Sequence, residues 1–591
     1  MPSRADQAGR YAPVLRGGVL ALLVVLLLGP SLRPGFTLIR DQVFVPDQTL
    51  LPWMLGLGAG LPRSVPQDAV VALLSGPVPG WVLEKAALVG ALALLGSGVS
   101  RLLGPAGTGA RIVGIVVSVW SAFVVERLLL GHWSLLLAVG ALPWLLDAAR
   151  RARCGQRGTW SSWTLWLLLA SLTVTGSVLA LAASLPVAVG PGSRLPTARR
   201  WAWLGTGMVA TLPWLVPALI LPGGADGTAG PGSEVFDLRA ESPLGALVTA
   251  LGTGGVWNAE AVPASRGSFL APLLTAVLLV LAALGARRTV ALLGRAAALT
   301  LTALALLGVV WAVAGTLDAL APAVSWVVAT VPGGGLLRDA QKWLAPWLLL
   351  LAVSSALGAD AVARRLAERT DRTAGGALLV GLALLAVLGL PDAVWGVGGQ
   401  LASVAYPTDY AVVRDRLATE PLPGDAVSLP WQTFRRFPWN DSRTVLDPVP
   451  RAMTRTVVAS DSLVVSSHGR LVTISGEDPR AAQITAALAA HHPLGPALRE
   501  LGISWAVVAT DVPDATADLP PDAVLVSPGV HLALYRLAAA TPVGRPAGTD
   551  TVLVADLVAA LVLVWATCAR VGAANLRRRR SQDAGTGTTG W

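Results

Sequence analysis

The chain has 591 residues, of which 54% are hydrophobic and 14% are charged, and its mean hydropathy is +0.63. A soluble domain carries roughly 25% charged residues, so this composition excludes an ordinary soluble protein. The net charge of +10 does not indicate nucleic-acid binding, because the arginine clusters lie at the ends of apolar runs, as in the positive-inside pattern of membrane proteins.

Apolar runs of spanning length recur along the chain and predict a polytopic α-helical membrane protein with a small extracytoplasmic α/β domain near the C-terminus. Alternation of the arginine clusters predicts that both termini are cytoplasmic in the plasma membrane. Cys154 and Cys568 fall on the cytoplasmic side, which excludes a disulfide framework. Twelve membrane segments are predicted, at residues 17–34, 81–103, 112–130, 132–148, 162–175, 177–190, 203–221, 269–286, 293–315, 343–362, 376–395 and 549–570.

The domain boundaries follow from the same pattern. Residues 1–395 form the predicted transmembrane domain, with long outside loops at 35–80, 222–268 and 316–342. Residues 396–548 form the extracytoplasmic domain, residues 549–570 the final span, and residues 571–591 a basic, disordered cytoplasmic tail. Two cytoplasmic signals flank 160–190, so a break near Thr173 is expected to divide that stretch into two short helices.

The first outside loop carries Arg40 and Asp41 close to the outer end of the first span. A carboxylate at this position meets the surface where the head group of a lipid-borne substrate lies. The alternative is a local ion pair between Arg40 and Asp41. Asp47 follows a proline and is predicted to cap a helix, and Asp68 is predicted to be a loop residue.

The turn between the third and fourth segments carries Glu126, Arg127 and His132. Charged groups at this depth are costly and usually paired or functional. A simple surface pair of Glu126 with Arg127 or His132 is the alternative.

A second polar cluster follows three glycines, after a short apolar stretch (318–331) that is expected to be re-entrant or interfacial. The cluster contains Arg338, Asp339, Gln341 and Lys342. Glycine backbone amides next to two cations suit a phosphate group, and an interfacial membrane anchor is the alternative. In the loop 222–268, Trp257 suits sugar stacking and equally suits an interface belt.

The extracytoplasmic domain shows strand and helix patterns. Residues 462–466, 471–475, 503–509 and 530–537 are predicted strands, and residues 481–491 are a predicted helix. The five histidines lack metal-binding spacing, and the common motifs of soluble enzymes do not occur.

These features resemble the GT-C superfamily of integral-membrane glycosyltransferases, and most closely the arabinofuranosyltransferases and mannosyltransferases of actinobacterial cell-envelope assembly. The end of the outside domain, at 498–508 and 534–537, is also similar to YfhO-type membrane proteins. The resemblance implies a polyprenyl-phosphate sugar donor and a cell-envelope glycan or glycolipid acceptor.

The resemblance also implies roles for individual residues. Asp41 would be the general base, and Glu126 would orient the acceptor or hold a metal. Arg338 and Lys342 would stabilise the charge on the lipid phosphate. The other residues assigned to substrate binding are Arg40, Arg127, His132, Asp339, Gln341 and Trp257.

The sequence identifies no cofactor. A divalent metal (Mg²⁺ or Mn²⁺) is left open, because the first loop lacks the Asp-x-Asp pair of many relatives. Two other functions are compatible with the sequence: a non-catalytic envelope scaffold, and a lipid or glycan transporter. The scarcity of ionisable residues in the middle of the spans counts against the transporter.

Overall fold

The computed structural model describes residues 4–58, 60, 62, 64–220, 233–467 and 470–585. Part of the predicted outside loop 222–268 and the last residues of the predicted tail, 586–591, therefore lie outside the described residues.

The N-terminal part of the bundle consists of long apolar helices joined by tight turns. The first eight helices are α1 (Arg4–Leu28), α2 (Gln67–Ser75), α3 (Gly80–Leu102), α4 (Thr108–Val119), α5 (Ala122–Leu130), α6 (Trp133–Arg153), α7 (Thr159–Ala170) and α8 (Val174–Val189). Helix α2 lies in the first loop. The break predicted near Thr173 separates α7 from α8, as expected.

The next nine helices complete the bundle. They are α9 (Thr197–Val209), α10 (Leu212–Ile220), α11 (Ala246–Leu251), α12 (Leu270–Leu293), α13 (Arg295–Ala314), α14 (Ala321–Thr330), α15 (Ala345–Arg369), α16 (Arg372–Leu388) and α17 (Val394–Gly398). The last is a left-handed turn, with positive φ at Trp395, Gly396 and Val397. Helix α14 is the short apolar piece predicted within 318–331.

The chain is a membrane protein with eight helices long and apolar enough to cross a membrane among its described residues, or up to ten if two bent helix pairs each count as one span. The predicted count of twelve is not confirmed. The remaining two predicted segments are α7 and α8, with 12 and 16 residues. At 1.5 Å per residue neither covers the roughly 30 Å hydrocarbon core.

Helices α12 and α15 pack closely because small residues line their contact. A Cβ atom on Gly285 would lie 2.0 Å from the carbonyl oxygen of Ser354, so the two backbones approach more closely than larger side chains would permit. Much of α15 is buried in the bundle, which fixes the polar segment that precedes it.

The C-terminal domain is built on a mixed sheet. Its elements are α18 (Asp409–Thr419), β1 (Asp425–Leu429), β2 (Phe434–Arg436), β3 (Thr444–Leu446), α19 (Val449–Ala452), β4 (Val457–Val458), β5 (Leu463–Ser467), β6 (Arg470–Ile474), α20 (Pro479–Ala489), α21 (Leu494–Glu500), β7 (Ile503–Val508), β8 (Val524–Ser527) and β9 (Ala533–Arg536). The five-stranded sheet has the order β4-β1-β7-β9-β8, and β2-β3 and β5-β6 form separate pairs. Strands β1, β4 and β7 are parallel, whereas β8 and β9 are antiparallel.

The final helix is longer than predicted. Helix α22 (Thr549–Gly585) continues past the last apolar residues into the basic segment, so the backbone of residues 571–585, predicted to be disordered, is helical. The physical reason is composition: alanine, leucine and four consecutive arginines are good helix formers, and they follow directly on a helix that is already nucleated.

Candidate active site

The turn between α5 and α6 brings the first loop against the helix bundle. Helix α5 ends at Leu130 and is followed by Gly131, which has a left-handed backbone with φ 81°. A Cβ atom at Gly131 would lie 2.1 Å from the backbone nitrogen of Gln42. The Asp41 amide donates a hydrogen bond to the Leu130 carbonyl at 3.1 Å. Glycine is therefore required for Asp41 to lie at this turn.

Four side chains from three separate segments form one continuous chain of contacts. Asp339 accepts two hydrogen bonds from Arg127, from Nη1 at 2.6 Å and from Nη2 at 2.8 Å. Arg127 Nη1 lies 2.9 Å from His132 Nδ1, and His132 Nε2 lies 3.1 Å from Asp41 Oδ2. The Arg127 and Asp339 side chains are buried, whereas the Asp41 side chain is 45% exposed. The chain thus leads from a buried ion pair to an accessible carboxylate.

The contacts fix the protonation of His132. A guanidinium has only donors, so Nδ1 must accept the hydrogen bond from Arg127, and a neutral ring then carries its proton on Nε2 and donates it to Asp41. Burial, together with the positive charges of Arg127 and Lys342, lowers the pKa of His132 below its usual value, although the hydrogen bond to Asp41 opposes this. Neutral His132 holds Asp41 Oδ2, and the structure shows no hydrogen bond to Asp41 Oδ1 from a described residue.

Asp339 organises the positive charge at this site. Burial by itself raises the pKa of Asp339, but the attraction of Arg127 and Lys342 outweighs burial and holds that pKa well below its usual value. Lys342 Nζ lies 3.6 Å from Asp339 Oδ2 and its side chain is 27% exposed. Lys342 is also within electrostatic range of Asp41 and Arg338. The five charged groups sum to one excess positive charge, which suits an anionic ligand.

Arg338 and Trp257 share an aromatic neighbour. The Arg338 guanidinium lies 4.2 Å from the centre of the Phe236 ring, and Trp257 meets the same ring edge-on at 4.9 Å between centroids. This cation–π contact holds the arginine while leaving its charge in place. Trp257 is half-buried, and its contact with Phe236 connects it to the Arg338 segment.

Arg40 connects the first loop to the end of α5 and to the loop that contains Glu260. Its guanidinium donates to the carbonyl oxygens of Leu129 and Glu260, each at 2.8 Å, and lies 3.6 Å from the Glu260 carboxylate. The backbone of Arg40 has φ 44°, which turns the chain so that Asp41 follows at the α5–α6 turn. Burial lowers the pKa of Arg40 below its usual value. These contacts give Arg40 a role in positioning Asp41.

Glu126 and Gln341 lie in a different cluster. Glu126 is fully buried; it accepts hydrogen bonds from the Val256 amide at 3.2 Å and from the Gln341 side-chain amide. Glu241, which is paired with Arg266 at 3.0 Å, packs beside it. The structure therefore unites Arg127, His132, Asp339 and Lys342 with Asp41, but places Glu126 and Gln341 under the loop that carries Trp257.

The other two carboxylates of the first loop have structural partners. No helix begins at Asp47, so the predicted helix cap is wrong; its side chain lies 3.2 Å from Arg414 of α18. Asp68 is buried and pairs with Arg451 at 2.9 Å, rather than lying free in a loop. Both contacts join the first loop to the C-terminal domain.

A buried network that the sequence did not predict lies on the other side of the first loop. Glu84 of α3 accepts hydrogen bonds from the Thr37 amide and from the Gln42 side chain, and it pairs with Lys85 at 2.7 Å. Lys85 also donates to the Thr37 hydroxyl at 3.0 Å. The two adjacent charges inside an apolar segment could have indicated this network, because charged side chains in a membrane are unfavourable unless they are paired or functional.

The C-terminal domain closes over the same loop. The Arg40 amide donates to the Thr444 carbonyl at 2.7 Å, and the Leu446 amide donates to the Arg40 carbonyl at 2.8 Å. Asn440 donates to the Leu38 carbonyl at 3.1 Å. Strand β3 thus holds the backbone of Arg40, directly before Asp41, and Asn440 holds that of Leu38.

The described residues do not provide a typical metal centre. Among them, no group of three or more His, Cys, Asp or Glu side chains is placed to hold a metal ion. The side chains around Asp41 are mostly cationic, which does not fit a divalent cation. We therefore assign no chemical step to a metal.

Comparison with solved structures shows a shared fold. The structure of a single-residue variant of the arabinofuranosyltransferase AftD from Mycobacteria matches with a TM-score of 0.53 and 19% identity, over 90% of this chain and 42% of that chain. The unmodified AftD structure matches with a TM-score of 0.50 and 18% identity, over 90% and 40%. A weaker likeness to ArnT from Cupriavidus metallidurans (TM-score 0.43, 12% identity, 91% of this chain and 100% of that one) carries no further weight.

The chain thus spans about two fifths of the length of AftD. No family model and no curated protein matches the sequence. The comparison with AftD therefore shows a shared fold over 90% of this chain.

Proposed function

We propose that this protein is a membrane glycosyltransferase that moves a sugar from a polyprenyl-phosphate donor to a cell-envelope glycan or glycolipid on the extracytoplasmic side. The observation that carries the proposal is the half-exposed Asp41 carboxylate, held by His132, Arg127 and Asp339 beside the cation Lys342. The fold shared with AftD, an arabinofuranosyltransferase, supports it.

In this mechanism Asp41 is the general base. Its Oδ1 atom takes the proton of an acceptor hydroxyl while His132 holds Oδ2. The acceptor oxygen forms a bond to the anomeric carbon, and the bond from that carbon to the lipid phosphate breaks with its electron pair remaining on the phosphate. A single displacement of this kind inverts the anomeric configuration. A positioned base contributes roughly 10²–10⁴ in rate.

The leaving lipid phosphate gains negative charge as the bond breaks. Lys342, whose amine is partly exposed, and Arg338, held on the Phe236 ring, are the cations placed to stabilise it. Preorganised charges of this kind stabilise the transition state more than the ground state. Asp339 keeps Arg127 and Lys342 in position but does not contact the reacting atoms in this proposal.

The location of the site agrees with a lipid-borne donor. Helix α6 starts at the site, next to His132, and ends at Arg153 after 21 residues, a length of roughly 31 Å. Asp41 therefore lies at one membrane surface, and the arginine cluster at 150–153 lies at the other. By the positive-inside rule we propose that the Asp41 surface and residues 396–548 are extracytoplasmic, with both termini in the cytoplasm.

The test is transfer by the purified full chain in lipid nanodiscs, with labelled polyprenyl-phosphate arabinose and mannose as donors. Asp41→Asn keeps the shape of the side chain but removes its ability to take a proton, so we expect transfer to fall by at least about 10². Asp47→Asn is the matched control, because Asp47 is an exposed carboxylate of the same loop. Equal activity of Asp41→Asn and the wild type would reject Asp41 as the base. Absence of transfer by the wild type with both donors would favour the scaffold function.

A further inference from the structure

The opposite end of the bundle contains a cavity that the proposed reaction does not use. It has a volume of about 480 Å³ and lies where three connections meet: the end of α6, the segment between α8 and α9, and the α12–α13 turn. Its size falls within the range of about 300–1,000 Å³ that is typical of small-ligand sites.

Five arginines line this cavity, and no acidic residue does: Arg150, Arg151, Arg153, Arg194 and Arg295. The nearby carboxylate is Asp147, which is buried and already paired with Arg150 at 3.4 Å, Arg151 at 3.0 Å and Arg101 at 2.8 Å. One carboxylate cannot neutralise this group. The cavity is therefore strongly cationic.

Two of these arginines are built into the wall. Arg153 Nη1 donates to the Val187 carbonyl at 3.1 Å, and its Nη2 donates to the Pro191 carbonyl. Arg150 Nη1 donates to the Leu292 carbonyl at 2.5 Å. These bonds connect α6 to the ends of α8 and α12. Contacts between helices consequently hold this part of the wall together.

Arg151 is paired with Asp147, whereas Arg194 and Arg295 have no such partner in the part of the chain that the structure describes. Among the described residues, the side chains of Arg194 and Arg295 make no hydrogen bond or ion pair, yet both line the cavity. The positive-inside rule explains arginines in each cytoplasmic connection. It does not require that three connections direct their arginines toward one cavity. An anionic ligand accounts for this convergence.

Apolar groups complete the lining. Val187, Leu292, Leu293 and Ala297 face the cavity beside the arginines. A site with a cationic part and an apolar part matches a phosphate group attached to a hydrophobic chain, because guanidinium groups bind phosphate through paired hydrogen bonds.

We propose that this cavity binds a phosphate-bearing ligand at the membrane face opposite Asp41. The shared chemistry is a phosphate monoester or diester, supplied either by a membrane phospholipid or by free phosphate. The site is separate from the proposed transfer reaction and does not depend on it.

The experiment compares the full-length wild type with Arg194→Gln/Arg295→Gln. The matched control is Arg365→Gln/Arg369→Gln, which removes two exposed arginines at the same end of the bundle that do not line the cavity. Native mass spectrometry measures retention of phosphatidylglycerol against phosphatidylcholine, and a thermal-shift titration with inorganic phosphate measures binding of the free anion. A hydrogen bond between charged groups contributes about tenfold or more in affinity, so we expect the cavity variant to lose at least about tenfold in binding.

The outcomes separate the two ligand sources. Loss of phosphatidylglycerol retention in the cavity variant alone assigns the site to a lipid head group. Loss of the phosphate-induced thermal shift alone assigns it to free phosphate. Equal binding by the wild type and both variants, or an equal loss in the cavity variant and the control, would overturn the proposal. Any binding would then be due to general surface charge and not to this cavity.

Discussion

Breaking the buried Arg127–Asp339 pair should destabilise the protein and stop transfer for different reasons. In Arg127→Met, Asp339 is left 7% exposed with Lys342 Nζ at 3.6 Å as its nearest charged partner. Removing one member of a buried ion pair costs about 3–5 kcal/mol. Because Lys342 remains, we expect a loss of about 3 kcal/mol in the free energy of unfolding.

Removing both partners should separate stability from activity. In Arg127→Met/Asp339→Leu no buried charge is left unpaired, since Lys342 is partly exposed, so we expect the free energy of unfolding to return to within about 1 kcal/mol of the wild type. Transfer should stay low, because His132 Nδ1 no longer accepts a hydrogen bond from Arg127 and its orientation toward Asp41 is no longer fixed.

The assay is a double-mutant cycle that combines unfolding in mixed detergent micelles, followed by tryptophan fluorescence, with the transfer assay in nanodiscs. The cycle measures the coupling between the two side chains directly. A double variant no more stable than the weaker single variant would refute the buried pair as a unit. A double variant with wild-type transfer would show that the chain from Asp339 to Asp41 has no role in the reaction.

Three further predictions use other parts of the structure. Gly131→Ala should lower the free energy of unfolding more than Gly158→Ala and should also lower transfer. Both glycines have a left-handed backbone, but only a Cβ atom at Gly131 would meet the Gln42 backbone. Equal effects of the two substitutions would reject this close approach. The stability of the wild type should rise as the pH increases toward about 6.5, the ordinary pKa of histidine, because the pKa of His132 is lower in the folded than in the unfolded chain. The unfolding midpoints of His132→Gln should lack this part of the pH dependence. Reporter fusions after residues 256 and 466 should report outside and those after 157, 200 and 369 inside, and an inside signal at 466 would reverse the orientation.

Much of the helical framework could be predicted because apolar length and arginine position are local properties. Among the described residues, each of the twelve predicted segments overlaps at least one helix. Prolines and short breaks inside these segments are not visible as changes in average hydropathy. Thr197–Val209 and Leu212–Ile220 meet at 57°, and Arg372–Leu388 and Pro391–Gly398 meet at 74°. The predicted strands at 462–466, 471–475, 503–509 and 530–537 overlap β5, β6, β7 and β9, whereas the short strands β2, β3 and β4 lack a clear alternating pattern.

The candidate site was predictable in composition but not in arrangement. Glu126 and Arg127 are adjacent, and successive residues of an α-helix point about 100° apart. One consequently turns toward Val256 and the other toward Asp339. Which of two neighbouring charges faces the site depends on the packing of α5 against distant segments, and a single sequence does not contain that information.

The contact between β3 and the Asp41 segment has a consequence for synthesis. Asn440 and Leu38 are 402 residues apart, and at roughly 5–20 residues per second a ribosome needs about 20–80 seconds to make the intervening chain. The helices of the N-terminal bundle are made first, and during that interval the Arg40 backbone directly before Asp41 still lacks its β3 partners. The backbone before Asp41 therefore gains its contacts with residues 440–446 only after the C-terminal domain has been made and folded, whereas the contacts of Asp41 with Leu130 and His132 form within the N-terminal bundle.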